Sequence, residues 1–350
     1  MSQIFRELLK KVGSGRHTSK DLSRVEAQTA LEMMLRQEAT PAQIGAFLIA
    51  HRIKRPTGIE LAGFLDAYEH LGPELSAVSA PSPVIVFSVP YDGRSRTAPV
   101  LPITALILAA SGCPVLLHGG DRMPTKYGVP LVDLWQGLGV DWSHRSLAQI
   151  HQVLSECGLG FVYLPEQFPL AQGLVEFRDQ VGKRPPLATT ELLWQPYLGK
   201  HHLIAGFVHP PTENMMREAL ALRGTDHFTT VKGLEGSCDL PRDRKAILGL
   251  NQPASEPTWQ RLILSAREYD LGGPEIPYTS TEELLEQLHA VLNGQACELM
   301  SAVLWNAGFY LWHVGISSTL NEGLQAAENL LVNGTAKQTL EQVQTFLADL

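Results

Sequence analysis

The feature that most constrains this chain is a recurrent alternation. Short apolar runs rich in β-branched and aromatic residues are separated by stretches with helical spacing. The runs are VIVFSV (84–89), PVLLHGG (114–120), LGFVYL (159–164), HLIAGFV (202–208) and HFTTVKG (227–233). Each is short enough for a buried strand. ITALILAASG (103–112) and PLVDLWQGLG (130–139) lie between strands and read as crossover helices. Strands alternating with helices build a mainly parallel sheet with helices on both faces. In such sheets ligands sit beyond the carboxyl ends of the strands. The segments to inspect are therefore SVPYDGRSRT (88–97), LHGGDRMPTKYG (117–128) and VKGLEGSCD (231–239).

The opening of the chain has a different grammar. Ser23 and Glu26, Thr40 and Gln43, and Thr57 and Glu60 have capping-box spacing, and Pro41 stands at a first helical position. Apolar Ile44, Phe47 and Leu48, then Phe64, Leu65 and Tyr68, fall at helical intervals. A helical unit is expected over residues 1–75, followed by the linker PELSAVSAPSP and an α/β unit over 82–350. Helices are also expected at 282–294, with Ser280 and Glu283 at its start, and at 302–314 and 320–334. The expected fold class is thus α/β: a small helical N-terminal domain plus a larger domain with a parallel sheet flanked by helices.

Composition narrows the function classes. A net charge of −8 argues against a globally basic nucleic-acid binder. The four cysteines form no CxxC pair, so no zinc signature is present, and scattered single cysteines suit a reducing, cytoplasmic setting. The apolar stretch near 101–110 is too short to span a bilayer, and no secretory leader pattern is seen at the N-terminus.

The three strand-end junctions carry the candidate chemistry. Arg94 and Arg96 present guanidinium forks suited to phosphate, although Pro90 offers no N–H and a charged surface turn is the plain alternative. His118, Gly119 and Gly120, with Arg122, Lys126 and Gly128 beyond, form a second cationic, glycine-containing turn. Glu235 and Asp239 are two carboxylates that fit Mg²⁺, or else belong to an ordinary polar loop.

Taken together these motifs resemble those of anthranilate phosphoribosyltransferases, over nearly the whole chain. SRVEAQTALEMMLRQEATPAQIGAFLIAHRIK is similar to that family's dimerising helical segment, and LWNAGFYLWHVGISSTLNEGLQAAENLLVNG to its C-terminal helices. The resemblance implies a homodimer, with Ile44, Phe47 and Leu48 as candidate contacts, and part of 165–196 joining the helical domain. It implies phosphoribosyl pyrophosphate as ligand, Mg²⁺ as cofactor and a place in tryptophan biosynthesis. The family's GTGGDG diphosphate loop falls on 88–93, where Asp92 and Gly93 remain, with Thr97 just beyond. Asp92, Gly93, Arg94, Arg96, Thr97 and Lys126 are accordingly the expected phosphate-binding residues. Of the KHGN acceptor motif His118 and Gly119 remain, and Gly120 replaces the asparagine. Arg178 corresponds to the arginine that holds the acceptor carboxylate, with Gly182 and Arg184 at matching spacing. Phe168 replaces the family's second histidine, and Cys238-Asp239 its Asp-Glu metal pair. The losses resemble those of a divergent branch that includes nucleic-acid-binding members. Ribosyl transfer to an aromatic or heterocyclic acceptor and non-catalytic binding of a polyanion or nucleic acid are the two functions expected.

Overall fold

The computed structural model describes residues 3–15, 17–252 and 258–350. Four helices open the chain: α1 (Gln3–Gly13), α2 (Arg24–Leu35), α3 (Pro41–Lys54) and α4 (Gly58–Leu71). All three expected capping boxes form, so the orphan amides at the starts of α2, α3 and α4 find side-chain acceptors. Ile44, Phe47 and Leu48 are buried, with Phe47 against Phe5 and Phe64. They are core of the helical unit, which corrects their expected role as dimer contacts.

The chain then alternates as the apolar runs require. It passes through β1 (Val84–Phe87), α5 (Leu101–Ala110), β2 (Val115–Gly119), α6 (Leu131–Gly137), α7 (Leu147–Cys157) and β3 (Leu159–Tyr163). Four short helices follow: α8 (Leu164–Gln167), α9 (Pro169–Gln172), α10 (Val175–Val181) and α11 (Leu187–Thr190). Next come β4 (His201–Gly206), α12 (Pro210–Leu222), β5 (Phe228–Val231), β6 (Ala246–Asn251) and β7 (Trp259–Leu264). Helices α13 (Thr281–Leu292), α14 (Met300–His313), α15 (Leu320–Val332) and α16 (Thr335–Ala348) close the fold.

The strands form one sheet in the order β3-β2-β1-β4-β5-β6-β7. The pairs from β3 to β5 are parallel, and β6 and β7 add antiparallel. Chain order reverses about β1, whose neighbours are β2 and β4, so the loop after β1 stands at the topological switch point where such sheets take ligands. β1 and β2 are wholly buried, whereas the edge strand β7 has only half-buried and exposed positions. Helix α10 packs on α3, and α11 and α12 pack on α4. The segment after β3 thereby leans on the helical unit, and Arg52 of α3 donates to the Arg184 carbonyl between α10 and α11. Among the described residues no helix is long and apolar enough to cross a membrane.

Candidate active site

The loops after β1 and β2 cross at close range. Gly128 N donates to the Asp92 carbonyl at 3.0 Å, and Val129 N to the Arg94 carbonyl at 2.8 Å. Glycine is required on both sides. Gly93 has φ +72°, and a Cβ there would lie 2.5 Å from the Gly128 carbonyl carbon and oxygen. A Cβ on Gly128 would meet the Arg94 backbone at the same 2.5 Å. These two glycines set the floor of the cleft.

Arg94 turns inward from this crossing. It is 3% exposed and donates to the Asp239 carboxylate and the Thr97 hydroxyl, with Glu235 Oε1 3.9 Å from its Nε. Glu235 arrives from the single 3₁₀ turn after β5, at residues Leu234–Gly236. Its carboxylate accepts from Ser95 N at 3.2 Å, and from Arg96 N, Thr97 N and the Thr97 hydroxyl at 3.0 Å each. Asp239 accepts from Val100 N at 3.0 Å, immediately before α5. Burial works against ionisation of Glu235, but the amides of Ser95 and Arg96, the Thr97 hydroxyl and Lys126 outweigh it and hold its carboxyl below the ordinary value. At Asp239 burial dominates and pushes the carboxyl up, against the pull of Arg94 and of the Val100 amide.

The expectation that Arg94 meets an external phosphate is therefore corrected: its guanidinium is committed to internal carboxylates. The expected Mg²⁺ ligands fit poorly as well. Mg²⁺ needs free oxygen donors arranged octahedrally and keeps several waters. Both Glu235 oxygens accept hydrogen bonds, one Asp239 oxygen is paired with Arg94, and the other is buried. Among the described residues no group of three or more His, Cys, Asp and Glu is arranged to hold a metal. Cys238, which stands where the family has an acidic residue, is buried with its thiol 3.0 Å from the Ser88 carbonyl, and burial pushes that thiol up.

A second cluster faces the cleft mouth. Asp92 is fully buried, yet neither carboxylate oxygen has a hydrogen-bond partner. Lys126 Nζ lies 3.6 Å from Asp92 Oδ1 and 3.9 Å from Glu235, and Arg184 Nη2 lies 3.9 Å from Asp92 Oδ1. Lys126 comes from the sheet side and Arg184 from the segment leaning on α3. Both cations are partly exposed and converge on the same oxygen of Asp92. Arg96 is exposed above them, 3.7 Å from Glu235. Arg122 bonds the Tyr127 carbonyl and Asp133 at 3.1 Å each.

The positions expected to hold the acceptor are also occupied from within. His118 is fully buried, with Nδ1 2.5 Å from the Tyr91 hydroxyl and its ring edge-on to Trp194 at 5.1 Å. Burial pushes this histidine down to about 3, so it is a neutral imidazole. Arg178, expected to grip the acceptor carboxylate, is 2% exposed and pairs with Glu191 at 2.5 Å. That expectation is corrected by a partner no local pattern announces. The cavity between Pro90, Tyr91, Gly119, Gly120, Val129 and Leu131 has a volume of about 30 Å³. That is room for a water or two, whereas sites for small molecules span roughly 300–1,000 Å³.

Residues 6–72 match the helical bundle domain of the glycosyl transferase family, and residues 94–337 match its a/b domain. The chain belongs to the glycosyl transferase family. Its relatives there include the anthranilate phosphoribosyltransferase of Symbiobacterium thermophilum, 26% identical, with 98% of this chain and 97% of that protein covered. The anthranilate phosphoribosyltransferase of Chromobacterium violaceum is 26% identical, with coverage of 91% and 92%. Among solved structures, anthranilate phosphoribosyltransferase from Thermus thermophilus superposes with a TM-score of 0.78 at 21% identity, covering 99% of this chain and 100% of that one. The enzyme from Saccharomyces cerevisiae, in complex with PRPP (phosphoribosyl pyrophosphate) and Mg, gives 0.84 at 18% identity, covering 100% and 99%. The fold is thus that of the anthranilate phosphoribosyltransferases in this family.

Sequence reasoning placed Gly93, Thr97, Lys126, His118 and Gly119 at the cleft. It did not find the Glu235 contact with three consecutive amides, the Glu191 partner of Arg178, or the aromatic wall of Tyr91 and Trp194. Only the flanking glycines, Gly233 and Gly236, hint at an unusual turn at residue 235. Glu235 itself has φ +55°, a left-handed conformation that non-glycine residues seldom adopt.

Proposed function

We propose that the chain is a ribosyl-transfer protein that takes a phosphoribosyl pyrophosphate-class donor where Lys126 and Arg184 meet Asp92, with an aromatic or heterocyclic acceptor other than anthranilate. The observation that carries this reading is Asp92. A buried carboxylate that accepts no hydrogen bond, with two cations 3.6 and 3.9 Å from one of its oxygens, is costly unless further donors reach it, and sugar hydroxyls are donors of the right size. The two partly exposed cations beside it suit the phosphate groups of the same ligand. Transfer of this kind breaks the bond from the sugar carbon to diphosphate and forms one to the acceptor. The diphosphate leaves with the electron pair, and the acceptor gives its proton to solvent. The protein's part is positioning and neutralisation of the departing charge, which falls here to Lys126, Arg184 and Arg96. Anthranilate is disfavoured because Arg178 is spent on Glu191, Gly120 stands in place of the acceptor asparagine, and Tyr91 covers His118.

Calorimetric titration with phosphoribosyl pyrophosphate, with and without Mg²⁺, tests the donor half. Diphosphate release with anthranilate and a panel of heterocyclic amines tests the acceptor half. We expect saturable donor binding and no turnover of anthranilate. An absence of binding refutes the first half, and anthranilate turnover refutes the second.

One observation favours a second reading, non-catalytic binding of a polyanion such as single-stranded nucleic acid. Exposed Arg96, Arg122 and Lys183 stand outside a cavity too small for a sugar phosphate. Oligonucleotide affinity that falls steeply with salt, together with no donor binding, selects this reading. A homodimer through the helical unit also fits, with exposed Ile4, Val25 and Ile53 in place of the buried trio first expected. Light scattering on the eluting protein decides it, and a monomeric mass refutes it.

A further inference from the structure

Glu235 and Asp239 do not sit at the cleft as open ligands. Three consecutive amides, those of Ser95, Arg96 and Thr97, converge on one Glu235 carboxylate. Successive backbone N–H groups aimed at a single point make an anion-binding concavity. The amide of Val100, at the start of α5, is taken by Asp239. The guanidinium buried between them, that of Arg94, is taken by both carboxylates. Apart from Arg94 Nε, which has no hydrogen-bond partner, these donors are thus satisfied by the chain itself.

We infer that Glu235, assisted by Asp239, is a built-in anion that occupies the loop between β1 and α5 and excludes diphosphate from it, which makes Glu235 a specificity-determining residue of the cleft. Four observations converge. The carboxylate geometry is that of a bound ligand, with hydrogen bonds of 3.0–3.2 Å from three amides and one hydroxyl. The residue delivering it is held at φ +55° and ψ +19° between Gly233 and Gly236. A strained backbone at a site is retained where the side chain's contacts over-determine it. The Glu235 side chain is only 3% exposed, so it fills the concavity and is not merely beside it. Two further cations, Arg96 at 3.7 Å and Lys126 at 3.9 Å, flank the same carboxylate and add to its hold.

An incoming diphosphate must evict Glu235 before it reaches these amides. Two like charges do not share one nest, so its affinity there is reduced by the cost of breaking the internal contacts. The inference is independent of the ribosyl-transfer reading, since it concerns the amides of Ser95, Arg96 and Thr97 and not the Asp92 carboxylate.

The test is calorimetric titration of inorganic pyrophosphate into the full-length parent, Glu235→Gly and Glu235→Gln. The glycine variant removes the carboxylate and suits the left-handed backbone. The glutamine variant keeps the shape without the charge and serves if the glycine variant folds poorly. Pyrophosphate is expected to bind at least one variant tenfold or more tighter than it binds the parent. In parallel, the amides of Ser95, Arg96 and Thr97 are expected to exchange slowly in the ligand-free parent and at least tenfold faster in Glu235→Gly. Parent and variants binding pyrophosphate equally, or fast exchange of these amides in the parent, overturns the inference. If the variants gain pyrophosphate but no protein form binds the phosphoribosyl donor, the inference stands and the proposed function fails.

Discussion

Replacing Arg94 by methionine tests the internal ion cluster on stability alone. The substitution keeps an apolar stem of similar length and removes a guanidinium shared by Asp239, Glu235 and Thr97. Breaking a buried pair from one side costs about 3–5 kcal/mol, because a charge is left without a partner. Here the lower end applies. Glu235 retains its three amides and Asp239 retains the Val100 amide, so one Asp239 oxygen bears most of the loss. We expect Arg94→Met to lose about 3 kcal/mol in urea unfolding at pH 7, which is roughly 6 °C in Tm at about 2 °C per kcal/mol for a large domain. Removing both partners, as Arg94→Met with Asp239→Leu, is expected to return to within about 1 kcal/mol of the parent, since apolar replacement of a buried pair is close to neutral. The pH dependence has a definite sign. Without Arg94 the folded-state value of Asp239 rises further above its unfolded one. The penalty is therefore full above the variant's folded value and fades as pH falls from there to the parent's folded value, which itself lies above the unfolded one. A single variant within about 1 kcal/mol of the parent, or a double variant worse than the single, refutes the argument that this cluster is a closed, mutually neutralising unit.

Three further outcomes follow from the structure. Gly93→Ala is expected to cost about 1–3 kcal/mol, because its φ is +72° and the new Cβ would press on the Gly128 carbonyl at 2.5 Å; thermal unfolding measures it, and a neutral effect contradicts the close crossing of the two loops. His118 and His202 are pushed down to about 3 and His313 to about 4, in each case chiefly by burial. Their folded values lie below the unfolded value, so stability is lost as pH falls through about 6.5 toward 4, by up to about 1.4 kcal/mol per histidine per pH unit; urea midpoints flat from pH 7 to 5 contradict this. Glu191→Gln is expected to destabilise by about 2–3 kcal/mol by stripping buried Arg178 of its counter-charge, read by urea unfolding; an unchanged midpoint places Arg178 in solvent instead.

Much of the fold is legible in the sequence because its determinants are local. Ser23, Thr40 and Thr57 announce helix starts three residues ahead of their box partners, and buried parallel strands are continuous apolar runs. β6 and β7 are not legible in this way, because AILGLN and WQRLIL are neither fully apolar nor marked by a turn signal, and β7 takes its form from pairing at the sheet edge. α12 and α16 are equally hard to read: neither opens on a side-chain N-cap. At the site, the residue positions are legible and their commitments are not. Arg94 and Glu235 come from loops separated by the whole of β2 to β5, and only the parallel sheet brings them together. A guanidinium free for phosphate and one spent on a buried carboxylate look the same in sequence. The same holds for Arg178 and Glu191, and for Tyr91 folding over His118.

The most direct test of the account is one set of titrations with phosphoribosyl pyrophosphate. The parent, Glu235→Gly, and the double variant Lys126→Ala with Arg184→Ala are compared in the same buffer. A cleft that takes the donor at Asp92 and excludes diphosphate through Glu235 predicts saturable but weak binding to the parent. It predicts binding at least tenfold tighter to Glu235→Gly and at least tenfold weaker to the double variant. Equal affinity in all three forms, or no binding in any of them, contradicts it.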